Sequence, residues 1–406
     1  MIFAFGINRT LNQFNMYKIQ TLNKIDPEGL QVFPATNYEI SGDITEPDAN
    51  VLRSFSMHEM EIPQSVKAIA RAGAGVNNIP IAKCTEKGIV VFNTPGANAN
   101  GVKELVIAAL LLASRDLIGG IQWAKTLVDE GDKVPALVEK GKANFGGSEI
   151  KGKTLAVLGL GAIGVLVANA AQSLGMNVVG YDPYISVEHA WNLHHDVVRA
   201  FGIESMLAKA DFITLHIPLM ADTKGFINAE KLIMMKNGVK ILNFARGELV
   251  VDSDIVAAIN TKKVGAYFTD FPNTELLKSD KVIAIPHLGA STNESEVNCA
   301  IMAAEQIRNF FENGNIRNSV NFPAAELERN SGARLLVTNK NIPNIISQIT
   351  TILAQAGINI DNMLNKNRGD VAYNIIDTNN ETLCDEIVGK ISAIEGVFMV
   401  RALCAK

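Results

Sequence analysis

The chain has little of what would tie it to nucleic acid, to a membrane or to an oxidising compartment. Its 37 Lys and Arg are outnumbered by 42 Asp and Glu, giving a net charge of −5, and they form no basic block. No electrostatic footprint for nucleic acid is therefore expected. Cysteine is scarce: Cys84, Cys299, Cys384 and Cys404 lie far apart without CxxC spacing. That argues against a zinc site or a disulfide framework and for reduced thiols. The longest unbroken apolar run, Leu105 to Ala113, has nine residues and is bracketed by Lys103-Glu104 and Arg115. A bilayer needs about 20, so this run reads as a buried helix. The opening MIFAFGINRTLNQFN lacks the charged start and small-residue cleavage site of a signal peptide. Met16 begins a more natural strand, MYKIQTLNKID, so the first fifteen residues read as an extension. A soluble cytoplasmic protein, with no membrane and no nucleic-acid partner, is the expectation.

What is present is organisation. At 406 residues the chain is long enough for two or three domains. From 151 to about 285 short Val/Ile/Leu strands alternate with helical stretches: TLAVLGL, NVVGYD, DFITLHIP, VKILNFA, VGAYFTD and KVIAIPH. This rhythm predicts a doubly wound parallel sheet buried on both faces, a Rossmann-type α/β fold. ANVLRS, VKAIARAG and GIVVFNTPG describe a smaller, flavodoxin-like α/β domain into which the first is inserted. The expected boundaries are 1–100 with 288–325 for the smaller domain and 101–287 for the larger one. A helix over about 101–118 would cross between them. Beyond SVNFP, residues 328–406 follow the order βαββαβ, with a helical stripe at Ile345, Ile349, Ile352 and Leu353 and a hairpin turning at Arg368-Gly369-Asp370. That order predicts a separate ferredoxin-like sandwich.

The sharpest motif is GLGAIG. Gly159, Gly161 and Gly164 follow a strand and open an apolar helix through Ala162 and Ile163, and Asp182 stands eighteen residues beyond Gly164 at the end of NVVGYD. Glycines for a tight turn, a helix start for a pyrophosphate and a carboxylate for ribose hydroxyls make up a dinucleotide fingerprint. Asp182 would repel a 2′-phosphate and no arginine follows it closely, so NAD is expected rather than NADP.

A hydride transferase acting on a hydroxy acid also needs a base for the hydroxyl proton and a cation for the carboxylate and the forming carbonyl. Candidates follow in order: Arg246 in NFARGELVVD, Glu275 in TDFPNTELL and His287 in IPHLGAST. Each falls at or just past the C-terminal end of an expected strand, the edge where open α/β sheets bind ligands. A carboxylate beside the histidine would stabilise its imidazolium, so Glu275 is expected to pair with His287.

In GLGAIG, NFARGELVVD and IPHLGAST the chain resembles the D-2-hydroxyacid dehydrogenase family. Its similarity is strongest to the branch that oxidises 3-phosphoglycerate with NAD and carries a C-terminal ACT regulatory domain, and it extends over most of the chain from Met16. The resemblance implies catalytic roles for Arg246, Glu275 and His287. It assigns Asp270 to the nicotinamide side and His216, Ile217 and Pro218 to the adenosine side. Phe244, Ala245 and Gly289 also fall among cofactor contacts. The turn within RAGAGV, at Ala74 and Gly75, would hold the substrate carboxylate, and Arg53 and Lys142 would contact the phosphate. In the tail it implies L-serine as an effector, with Asn341 and Asn359 among its contacts, although Asn344 replaces the family's glycine and Asn339 its histidine. It implies a homodimer or homotetramer and a place in L-serine biosynthesis. Around Glu275 the chain departs from the family, with DFPNTEL where DVFxxEP is usual and only twelve residues from Glu275 to His287. Dehydrogenation of another 2-hydroxy acid, and a non-enzymatic corepressor of the same fold, stay open as alternatives.

Overall fold

The computed structural model describes residues 16–405; the reading of residues 1–15 as an extension lies outside the described residues. The described chain forms two compact units, one being Asn98–Ser295 and the other the chain on either side of it.

In the flanking unit β1 (Tyr17–Thr21), β2 (Tyr38–Ser41), β3 (Ala49–Leu52), β4 (Ala68–Arg71) and β5 (Val90–Phe92) form a parallel sheet in the order β2-β1-β3-β4-β5. This is the flavodoxin-like order expected. The inner unit holds β6 (Thr154–Leu158), β7 (Asn177–Tyr181), β8 (Val198–Arg199), β9 (Phe212–Leu215), β10 (Val239–Asn243), β11 (Val264–Thr269) and β12 (Val282–Ala284). They pair in parallel in the order β12-β11-β10-β9-β6-β7-β8. With β6 taken as first, this is the doubly wound dinucleotide-binding order with one further strand at the edge. The strands read as unbroken apolar runs because both faces are covered. Ala156, Leu158, Ile213 and Ile241 enter one buried cluster, and Leu155, Val157, Phe212 and Leu242 enter the other.

The helix expected over 101–118 runs from Ala99 to Ser114. Arg115 is extended (φ −143°, ψ 156°), and Asp116 then accepts a hydrogen bond from Gly119 N (3.0 Å) to start a second helix, Leu117–Lys125. A capping carboxylate therefore breaks what apolarity alone reads as one helix.

The C-terminal segment has the expected order. β13 (Arg334–Lys340), β14 (Ile360–Arg368), β15 (Val371–Thr378) and β16 (Val397–Leu403) form an antiparallel sheet, β14-β15-β13-β16. Helices Ile345–Gln355 and Asp385–Ser392 cover one face through Ile345, Ile349, Leu353, Ile387 and Ile391. The other face is not free. Leu336, Tyr373, Ile375 and Leu403 share one buried cluster with Ile19, Phe92, Phe310 and Phe311 of the flavodoxin-like layer. The segment is therefore continuous in packing with the unit before it rather than separate from it. Polar anchors reinforce this. Buried Arg334 donates to both oxygens of Asp377 (2.6 and 2.8 Å) and to the carbonyls of Asn313, Leu327 and Glu328 (2.7–2.9 Å). Tyr373 OH donates to Gly314 O (2.6 Å), and the Arg401 guanidinium lies 4.3 Å from the centre of the Phe310 ring.

Candidate active site

The glycine turn leaves β6 with Gly159 at φ +91° and leads into the helix Ala162–Ser173. A Cβ on Gly164 would lie 1.9 Å from Gly159 O, so only glycine lets the helix approach the turn this closely. Gly161 differs, because a Cβ there would meet no protein atom within 4 Å. The protein's own packing does not require glycine at that position; a ligand lying against the turn would. Asp182, at the end of β7, is pinned at both oxygens: Oδ2 accepts from Leu160 N and Oδ1 from Tyr184 N, each at 2.8 Å. The Asp182 carboxylate and the glycine turn thus hold each other in register. Below them the His216 ring is hydrogen-bonded to Thr214 Oγ1 (2.9 Å), and burial pushes its pKa down to about 4, so it stays neutral at physiological pH.

The next three strands deliver the remaining groups. After β10 the chain turns through Phe244, Ala245 and Arg246. This turn is organised by Asn243, a buried residue that sequence reasoning missed. Its Nδ2 donates to Arg246 O (2.8 Å) and to Tyr267 OH (3.2 Å), while its Oδ1 accepts from Ala245 N (3.2 Å). The signal available was a lone amide ending an apolar strand, since a buried polar group must be spent on a hydrogen bond. Arg246 itself is exposed, with Nη1 donating to Ala245 O (2.6 Å).

Asp270 follows β11 and is 2% exposed, and its Oδ1 has no hydrogen-bond partner. Burial raises its pKa above the usual carboxylate value, while His287, its own backbone N–H and Arg246 pull it back. His287 follows β12, exposed, with its ring edge-on to Phe271 (centroids 5.0 Å apart, planes at 87°). Phe271 is a second residue that sequence reasoning passed over. Gly289 is buried, and a Cβ there would lie 3.8 Å from Asp270 Oδ2.

The expected pairing of Glu275 with His287 is not formed. Among the described residues no ion pair within 4 Å joins them, and Glu275 is exposed. The cause is local. Asn273 Oδ1 accepts from both Glu275 N and Leu276 N (3.0 Å each), and Asn273 Nδ2 donates to Asp252 Oδ2 (2.7 Å). This turn buries Leu276 and sends Glu275 outward. The carboxylate that feels His287 and Arg246 is Asp270.

In the flanking unit the backbone turn at Ala74 and Gly75 is held by side chains. Asn93 Nδ2 donates to Ala74 O (2.7 Å), and Arg71 donates to Gly75 O and to Arg53 O. Arg71 thus links two of the expected substrate residues, and it was not singled out from sequence. Arg53 Nη1 pairs with Glu296 Oε1 at 2.5 Å, a contact that a phosphate would have to outbid. Lys142 pairs with Glu139 (2.5 Å), with both side chains exposed. Asn341 and Asn359 stay apart in their hydrogen bonding: Asn341 Nδ2 donates to Gly369 O (3.1 Å) and Asn359 Nδ2 to Asp361 Oδ1 (3.5 Å).

Comparison with known proteins places the fold among dehydrogenases. Residues 108–289 match the family model of the D-isomer specific 2-hydroxyacid dehydrogenase, NAD binding domain. The chain is 35% identical over 320 residues to D-3-phosphoglycerate dehydrogenase of Archaeoglobus fulgidus, covering 76% of this chain and 58% of that protein. It is 30% identical over 327 residues to the Bacillus subtilis enzyme of that name, covering 76% and 60%. It thus spans about three-fifths of the length of these curated relatives. Among solved structures it resembles NAD+-bound 3-phosphoglycerate dehydrogenase of Entamoeba histolytica (28% identity, TM-score 0.58, 75% of this chain and 99% of that one). The holo D-mandelate dehydrogenase of Rhodotorula graminis shares the fold at 19% identity, with a TM-score of 0.64 over 77% of this chain and 100% of that one.

Proposed function

We propose, from the match of residues 108–289 to the D-isomer specific 2-hydroxyacid dehydrogenase NAD binding domain, an NAD-dependent enzyme that oxidises 3-phospho-D-glycerate to 3-phosphohydroxypyruvate, the opening step of L-serine biosynthesis. The observation that carries this reading is the convergence of Arg246, Asp270 and His287 beyond the ends of adjacent strands β10, β11 and β12. The glycine turn after β6 stands at the same C-terminal edge.

The residues suit the cofactor. The open side of Gly161 and the clasped Asp182 offer a place for the pyrophosphate and the ribose, and the unpartnered Asp270 Oδ1 offers an acceptor for a carboxamide N–H. NAD, when bound, supplies the hydride acceptor. His287 takes the hydroxyl proton, and Phe271 against its ring limits how that ring turns. Arg246 presents its guanidinium fork to the substrate carboxylate and to the oxygen that becomes carbonyl. Asp270 stabilises the imidazolium that His287 becomes. Glu275 takes part only if its turn rearranges when substrate binds.

Within the same reading Ala74, Gly75, Arg53 and Lys142 serve the substrate, and residues 328–406 serve as an ACT-type regulatory domain for L-serine in a cytoplasmic homodimer or homotetramer. The βαββαβ order supports this, as does Asn344 at φ +74°, the left-handed backbone that glycine adopts freely and Asn tolerates. Among the described residues no helix is long and apolar enough to cross a membrane.

The test is NADH formation from 3-phosphoglycerate, D-glycerate and D-lactate in parallel, with and without millimolar L-serine. Turnover confined to the phosphorylated substrate is expected. Preference for an unphosphorylated acid would move the assignment to another member of the family, and no turnover with any of them would favour the corepressor alternative. An unchanged rate with serine would remove the effector.

A further inference from the structure

On the connection between β7 and β8, well past Asp182, the chain reads Asn192-Leu193-His194-His195-Asp196. None of the three residues His194, His195 and Asp196 has a part in the dehydrogenase site. Consecutive residues of an extended chain would point to opposite sides. Here a turn, closed by Val197 N donating to His194 O (3.0 Å), brings the three side chains together. The two imidazoles stack with centroids 4.4 Å apart and planes at 24°. His194 Nδ1 lies 3.8 Å from Asp196 Oδ2, and His195 Nε2 lies 3.4 Å from Asp196 Oδ1. One ligand atom from each residue falls within 4.8 Å of the others.

The turn is pinned from outside. Asn169, on the helix that begins at the glycine turn, accepts from His194 N at Oδ1 (2.8 Å) and donates from Nδ2 to Asn192 O (2.8 Å). Nitrogen and oxygen ligands at the 2.0–2.2 Å bond lengths of zinc would stand roughly 3.4 Å apart on a tetrahedron. The two ring nitrogens face different oxygens of Asp196, at 3.8 Å (Oδ2) and 3.4 Å (Oδ1), and rotation of the exposed side chains can bring one oxygen and both rings to that spacing.

We propose that this turn binds one divalent transition-metal ion, zinc or copper(II), through one imidazole nitrogen each of His194 and His195 and one carboxylate oxygen of Asp196. Imidazole with a single carboxylate is a donor set suited to these ions and poorly suited to magnesium or calcium. The remaining position is left to water, as the side chains are open to solvent. The weak bond from Asp196 N to His194 Nδ1 (3.3 Å) is given up if that nitrogen is the ligand. Beyond the turn, β8 holds to β7 by only two residue pairs, Val179 with Val198 and Gly180 with Arg199. A metal here would therefore clamp the free edge of the sheet.

Trp191 supplies the readout. It is exposed and three residues from His194, so chain length keeps it within about 11 Å of the turn. The chain has two tryptophans, so Trp123→Phe leaves Trp191 as the sole reporter. The exposed thiols Cys384 and Cys404 are replaced by serine in the same full-length background to remove competing ligands. Saturable quenching by one equivalent of copper(II) is expected, together with one equivalent of zinc by calorimetry. Each of His194→Ala, His195→Ala and Asp196→Asn should weaken both by at least ~10-fold. Non-saturable quenching, absence of zinc binding, or unchanged affinity in any one of the three variants would overturn the three-ligand site. Circular dichroism checks that the exposed substitutions leave the fold intact.

Discussion

Replacing Asp270 by Asn should make the apoprotein more stable and the enzyme worse. The carboxylate is 2% exposed and one of its oxygens has no partner. Burial holds its pKa above the ordinary 3.8, against the opposing pull of His287, its own backbone N–H and Arg246. A raised native pKa means that the folded state holds the proton more tightly than the unfolded one. Stability therefore falls as pH rises from the unfolded carboxylate range through the native pKa. Asp270→Asn leaves an unpaired polar atom in place but removes the charge that burial penalises, so a higher Tm is expected at neutral pH. The gain should shrink toward zero as pH falls below the ordinary carboxylate pKa of 3.8, where the side chain is neutral in the folded and unfolded states alike.

Cofactor binding should move the other way. A charged acceptor makes a hydrogen bond worth about 1.5–3 kcal/mol and a neutral one about 0.5–1.5. The difference of about 1–1.5 kcal/mol corresponds to NAD binding roughly 5–13-fold weaker. The imidazolium of His287 also loses its neighbouring anion, so kcat should fall. Thermal unfolding from below pH 3.8 up to pH 8 and a calorimetric NAD titration check both halves. A variant less stable than the parent at pH 7, or one with unchanged NAD affinity, would refute the role given to Asp270.

His287→Ala should lower kcat by roughly 10²–10⁴-fold, the usual cost of removing a positioned acid–base group, with NAD affinity nearly retained by titration. Arg246→Lys should raise KM and lower kcat together in steady-state assays, because a point charge cannot reproduce the planar fork; a change in Tm alone would make Arg246 structural. Asp182→Ala should narrow the ratio of kcat/KM for NAD over NADP, because it removes a ribose acceptor and a repulsive charge. Arg334→Met should destabilise the flanking unit by about 3–5 kcal/mol in denaturant titration, because it strands the fully buried Asp377. Asp377→Leu added to it should not restore stability fully, since the carbonyls of Asn313, Leu327 and Glu328 would still lack their donor.

Periodicity and glycine spacing were enough for the strand rhythm, the fingerprint and the order of the C-terminal elements. These rest on short-range physics: buried parallel strands must be apolar on both faces, and a turn cradling a pyrophosphate needs residues without side chains. Strands β2 and β8 were not legible, since YEIS and the two-residue Val198-Arg199 carry too little apolar sequence to stand out from loops. The end of the helix at Ser114 was missed because Asp116 acts by capping, which an apolar run does not reveal.

The sequence by itself determined which side chains could do chemistry and that they stand near strand ends. Tertiary structure decided which of them meet. Glu275 was the natural partner for His287 by motif, yet the Asn273 turn carries it away and burial makes Asp270 the interacting carboxylate. Asn243 and Phe271 became visible only once strands distant in sequence lay side by side. The C-terminal segment reads as an independent sandwich, but its second face is apolar and Arg334, Tyr373 and Arg401 hold it to the preceding layer. Motif and period are local properties of the chain, whereas hydrogen-bond partners, burial and the closure of a hydrophobic face depend on what the rest of the chain brings alongside.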